Sequence, residues 1–130
     1  QKDFEALRNQ YHIAQQQFRM LELLDGQVQF LVTECSLPQL LYYNASYEDN
    51  ICDVARTRKQ ILDWYKQHNN INVVVERSAR KYVHTGRFQD EEQARRIDHA
   101  LRATLVREGI AHTVVKSEIE AIHAFASTLE

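Results

Sequence analysis

Val28-Gln29-Phe30-Leu31-Val32-Thr33-Glu34-Cys35-Ser36 runs from a stretch rich in β-branched and aromatic residues straight into a carboxylate and two small polar residues. A turn signal, Asp25-Gly26, precedes it, and Leu37-Pro38 opens a further helical pattern behind it. Residues 28–33 therefore read as a strand buried on both faces. A carboxylate at the carboxyl end of such a strand lies where open α/β folds bind ligands. The same spacing also suits a solvated loop glutamate, so Glu34 carries both readings.

The segments around this stretch alternate. Upstream, Phe4, Leu7, Tyr11, Ala14, Phe18 and Leu21 recur at three- and four-residue spacings, which predicts an amphipathic helix that Gly26 ends. The stripe suits packing on the domain's own core better than a coiled-coil seam, because e/g charge pairs are few. Downstream, Pro38 to Asn44 predicts a short helix. Asn50 reads as the N-cap of a longer helix to His68, with Ile51, Val54, Ala55, Ile61, Leu62, Tyr65 and the stem of Arg58 on its buried face. Ile71 to Val75 predicts a second buried strand and Ile110 to Val115 a third. Between them lie a basic stretch from Ala79 to Phe88 and a helix that Asp90 and Gln93 open as a capping box. Ser117 with Glu120 opens a terminal helix in the same way. Alternating helices and continuously apolar strands predict an α/β fold with a parallel sheet and helices on both faces, in one domain spanning 1–130.

Composition narrows the function classes. A chain of 130 residues with 44% hydrophobic and 26% charged residues is that of a globular domain. A net charge of −2 gives no electrostatic footprint for nucleic acid, which remains an unsupported partner. No apolar run approaches the ~18 residues of a membrane span, and no signal peptide is visible, so a cytoplasmic location is expected. Cys35 and Cys52 lack CxxC spacing. The six histidines are scattered, without HExxH or paired Cys/His spacing, which argues against a structural metal.

Carboxyl ends of parallel strands share one edge, which would gather Glu34, Cys35 and Ser36 with Arg77, Ser78, Lys116 and Ser117. A carboxylate facing several cations suits phosphate chemistry, and arginines give forked contacts to phosphate oxygens. Arg77, Arg80, Lys81 and Arg87 cluster accordingly. A solvated basic loop paired with Asp90, Glu91 and Glu92 explains the same cluster without function.

Val32-Thr33-Glu34-Cys35-Ser36, the tyrosines of Leu41-Tyr42-Tyr43-Asn44 and Tyr47, the run Gly86-Arg87-Phe88-Gln89 with Glu91, Glu92, Ala94, Ile97 and Asp98, and Gly109-Ile110 before a strand resemble P-loop kinase-like NTPases of the nicotinamide-riboside-kinase-like AAA group, phage-type. The likeness spans almost the whole chain. It implies a three-layer parallel sheet with a lid at about 79–93, and an ATP-dependent phosphotransferase acting on a nucleoside, nucleotide or modified base. Glu34 would stand for the family's aspartate at the Mg²⁺–phosphate centre or acceptor hydroxyl, one methylene longer. Arg87 would be the lid arginine, Arg77 and Arg80 phosphate contacts, and Tyr43 and Tyr47 the acceptor side or simple core. ATP, Mg²⁺ and the acceptor are the implied ligands, in the cytoplasm of a host cell if the protein is of phage origin.

The family's GxxxxGK[ST] cradle has no counterpart, since the only glycines are Gly26, Gly86 and Gly109. The amino-terminal strand and loop would then lie upstream of Gln1 in an intact enzyme, leaving this chain inactive alone and prone to self-association. The alternative is a non-catalytic relative that works as a protein-interaction or regulatory module.

Overall fold

A computed structural model of the chain describes residues 7–76 and 91–129. The chain divides into two compact units, 1–70 and 71–130.

The first unit is helical. Helix α1 spans Gln10–Leu24, α2 Leu37–Ser46 and α3 Val54–Tyr65. Each begins on a side chain that accepts from the first turn: Asn9 from the His12 amide, Ser36 from Gln39, Asp53 from Arg56. These caps satisfy donors that the helix itself leaves open. Pro38 fits the first turn of α2, where its missing N–H costs nothing. At the end of α1, Gly26 takes φ 77°, the left-handed conformation that glycine adopts without strain. The core is built from Ala14 of α1, Leu37, Leu40 and Leu41 of α2, and Ile61 and Trp64 of α3. Trp64 anchors it. Phe18 stacks on its ring at 5.0 Å, and Tyr11 lies tilted at 5.7 Å.

The second unit holds strand β1 (Val73–Glu76), helix α4 (Glu91–Arg107), strand β2 (Thr113–Lys116) and helix α5 (Ile119–Ser127). The strands pair parallel, Val73 opposite Thr113 through Glu76 opposite Lys116. Asn72 extends the pairing by one step: its carbonyl accepts from the Thr113 amide and its side chain donates to the Ala111 carbonyl. Helix α4 closes on Gly109 at φ 68°. The Ile110 amide donates to Leu105 and the Gly109 amide to Val106, a Schellman ending, and Leu105 and Ile110 are both buried. Helix α5 packs on β2.

The expected three-layer parallel sheet with helices on both faces is not the fold. The sheet among the described residues has two strands, β1 and β2, and helices dominate. The overturned element is 28–33, which is irregular, joins no ladder and leaves its apolar side chains facing solvent, Val32 at 91% exposure. Its neighbours within the first unit are helices, which offer no free backbone donors or acceptors to a strand. An apolar run becomes a strand only when another strand supplies hydrogen bonds along its length. The strands expected at 71–75 and 110–115 do form and do pair parallel, shortened to 73–76 and 113–116.

Smaller corrections follow the same logic. Asp53, not Asn50, caps α3, because the Asn50 side chain is committed to bonds with Asn44 and the Gln10 amide. The buried face of α3 is therefore Thr57, Ile61 and Trp64, while Ile51 and Val54 are exposed. Ser117 does not cap α5; the N-cap is Glu118, with no side-chain cap bond.

Candidate functional site

The strand-end motif forms one turn. Thr33 Oγ1 accepts from the Gln17 amide nitrogen of α1 and from the Cys35 backbone, both at 3.2 Å, and Ser36 then caps α2. Thr33 through Ser36 are thereby held between the middle of α1 and the N-terminus of α2, and Glu34 projects from an exposed bend. The Cys35 thiol is pushed above its ordinary value, first by desolvation and then by the Glu34 charge. The protonated thiol is the less nucleophilic form.

Tyr43 and Tyr47 stand apart from it. Tyr43 lies in the last turns of α2, half-buried, edge-on to Tyr42 at 5.1 Å. Tyr47 is the C-cap of the same helix, its amide donating to the Tyr43 carbonyl at 2.9 Å. At ~1.5 Å rise per residue, the backbone of Tyr47 is about 16 Å along the axis from Ser36. Glu34 and Tyr47 thus belong to opposite ends of α2. Arg77, Arg80, Arg87 and the lid as far as residue 90 lie outside the described residues.

Between α2 and α3 runs a buried polar network. Asn44, 1% exposed, donates to the Val54 carbonyl at 3.0 Å and accepts at Oδ1 from Asn50 and from the Cys52 thiol. Thr57 donates to the Cys52 sulfur at 3.2 Å, and Asn50 Oδ1 accepts from the Gln10 amide at 3.3 Å. With its donors and acceptors matched, this network specifies the packing of three helices. It is structural.

A third cluster escaped the sequence reading. Glu22, Asp25 and His68 each offer a ligand atom, all within 4.8 Å of one another. Glu22 is in the last turn of α1, Asp25 is its C-cap, and His68 follows α3 in a turn where Asn70 donates to the Tyr65 and His68 carbonyls. His68 Nε2 approaches Glu22 Oε1 at 3.0 Å and Asp25 Oδ2 at 4.0 Å. The approach to Glu22 is close but misaligned, and neither ring nitrogen has a hydrogen-bond partner. No short motif could reveal this group, because His68 is far from the carboxylates in sequence. The available signal was electrostatic: two acids at a helix C-terminus, where cations are favoured.

The chain matches no protein-family model, no curated protein and no solved structure. Among the described residues, no helix is long and apolar enough to cross a membrane.

Proposed function

We propose that the chain is a protein-interaction module whose second unit accepts an extended segment of a protein partner as an added strand. The observation that carries this reading is the state of the sheet. Parallel sheets are ordinarily covered on both faces, yet Val73 and Val75 of β1 and Val114 of β2 are exposed. Ile119 and Ile122 of α5, the helix packed on β2, extend the exposed apolar surface. Exposed apolar surface of this kind marks interaction sites. Strand addition suits it, because free edge amides and carbonyls give affinity and alternate side chains fill apolar sites. At the carboxyl end Glu76 of β1 stands opposite Lys116 of β2, so the two edges end in charges of opposite sign.

Phosphotransfer from Mg²⁺–ATP through Glu34 and Arg87 rests on motif likeness alone.

A peptide with the sequence of residues 27–34, an apolar β-forming segment, is a suitable probe. Amide exchange is followed at 73–76 and 113–116, with a control peptide N-methylated at alternate residues. The expected result is slowed exchange along one strand with the unmodified peptide only. Unchanged exchange at millimolar peptide, or equal slowing by the N-methylated control, overturns the strand-acceptor reading. Calorimetry with Mg²⁺–ATP separates the alternatives, since micromolar binding would favour phosphotransfer.

A further inference from the structure

We propose that Glu22, Asp25 and His68 form a divalent-cation site that takes Zn²⁺ or a related first-row transition ion and ties the end of α1 to the turn after α3. The donor set of one imidazole and two carboxylates suits such ions, whereas Mg²⁺ prefers oxygen ligands and retained water.

The geometry is close to what an ion requires. Ligand bonds of ~2.0–2.2 Å in a tetrahedral site put donor atoms roughly 3.4 Å apart. His68 Nε2 lies 3.0 Å from one carboxylate and 4.0 Å from the other, and all three donor atoms fall within 4.8 Å. Glu22 and Asp25 are half-exposed or more, at 47% and 65%, so both can close on an ion by rotamer change. That exposure also leaves a fourth position for water.

Two independent features ask for a cation here. His68 is only 17% exposed, both its ring nitrogens are buried without hydrogen-bond partners, and Nε2 sits nearest the two carboxylates. A buried nitrogen without a partner is costly, and ligation would satisfy it. The carboxylates also sit at the negative end of the α1 dipole. Neither α1 nor α3 carries a basic residue in its last turn, Lys66 being the C-cap of α3, and His68 follows two residues later. Two helix C-termini and two acids thus meet around one imidazole. The Phe18 ring, 5.8 Å from the imidazole, walls its apolar side.

A simple His–Glu ion pair is the competing explanation, and Zn²⁺ titration of the full chain distinguishes the two. Calorimetry with ZnCl₂ should give one-site binding and a rise in Tm, and Mg²⁺ should give neither. Co²⁺ should produce visible ligand-field absorption without thiolate charge transfer. His68→Gln should abolish binding, and Glu22→Gln and Asp25→Asn should each weaken it by about tenfold or more, a loss of ~1.4 kcal/mol per tenfold. If His68→Gln does not fold, the two exposed carboxylate variants carry the test. No binding at millimolar Zn²⁺, equal binding by wild type and Glu22→Gln, or a thiolate band placing the ion on Cys35 or Cys52 would each overturn the proposal.

Discussion

The two units differ in how far they complete their own interiors. In residues 7–70, apolar side chains from three helices meet around Trp64 and Ile61, and the buried Asn44 and half-buried Asn50 find partners inside the same unit. Among the described residues of the second unit, Val73, Val75 and Val114 of the paired strands are exposed, and Ala94, Leu105, Ile110 and Val115 are the buried apolar residues. The first unit closes three helices around Trp64 and leaves apolar side chains exposed in the connecting segments, at Val28, Phe30, Leu31, Val32 and Ile51. The second leaves apolar side chains exposed on its paired strands themselves, at Val73, Val75 and Val114.

The largest test of that contrast is in the first core. Ile61 has no exposed surface, so Ile61→Ala should cost ~2–5 kcal/mol by loss of transfer energy and cavity formation. Trp64 is the chain's only tryptophan and stacks on Phe18, so its fluorescence in urea reports the loss directly. Val75→Ala should shift unfolding far less, since Val75 is exposed. Equal effects would erase the distinction between the units.

Next comes the polar network. Asn44→Ala removes the bond to the Val54 carbonyl and leaves Asn50 and the Cys52 thiol one acceptor short, an expected loss of about 1–3 kcal/mol per buried group left unpaired. Adding Asn50→Ala should cost much less than its single-variant effect, because the pair shares bonds. Strict additivity in a denaturation cycle would show that the two amides act separately.

The Cys35 thiol gives a smaller, pH-dependent effect. Its folded value is raised, so the stability it contributes is present below its unfolded value and is lost as pH climbs through the folded one. The effect therefore belongs to alkaline pH. Glu34→Gln removes the second cause of the shift and should speed alkylation of Cys35 near pH 8 by a few-fold, as thiolate fraction sets the rate. An unchanged rate would leave desolvation as the sole cause.

Smallest of all, Arg95→Ala should alter stability by no more than ~0.5 kcal/mol, because the Arg95–Glu91 pair, though 2.9 Å long, is exposed on α4.

Much of the local structure was legible in the sequence, and the reasons are physical. Leu37-Pro38 and Gly26 marked helix ends because proline in a first turn and φ > 0 are properties of single residues, while the cap at Ser36 was not read. The strands at 73–76 and 113–116 were legible because their β-branched runs end in polar residues. Residues 28–33 carried the same signal and form no strand, since pairing depends on what lies alongside. The face of α3 was misplaced by assigning its cap to Asn50 rather than Asp53, which turned Trp64 away from the core. Glu34 lies in an exposed bend, as its solvated-loop reading allowed and its strand-end reading did not, and the raised Cys35 thiol was not legible because it depends on burial. The grouping of His68 with Glu22 and Asp25 exists only once α1 and α3 are packed.

The parallel register of Val73 with Thr113 also has a consequence for synthesis. Helical neighbours in the first unit can meet soon after they leave the ribosome, whereas β1 must wait for β2. At ~5–20 residues per second, that interval is about 2–8 s. For that time Val73–Glu76 is an emerged apolar strand without its native partner. Long-range parallel pairing is the slow kind, so β1 is the segment that nascent-chain chaperones would have most reason to shield.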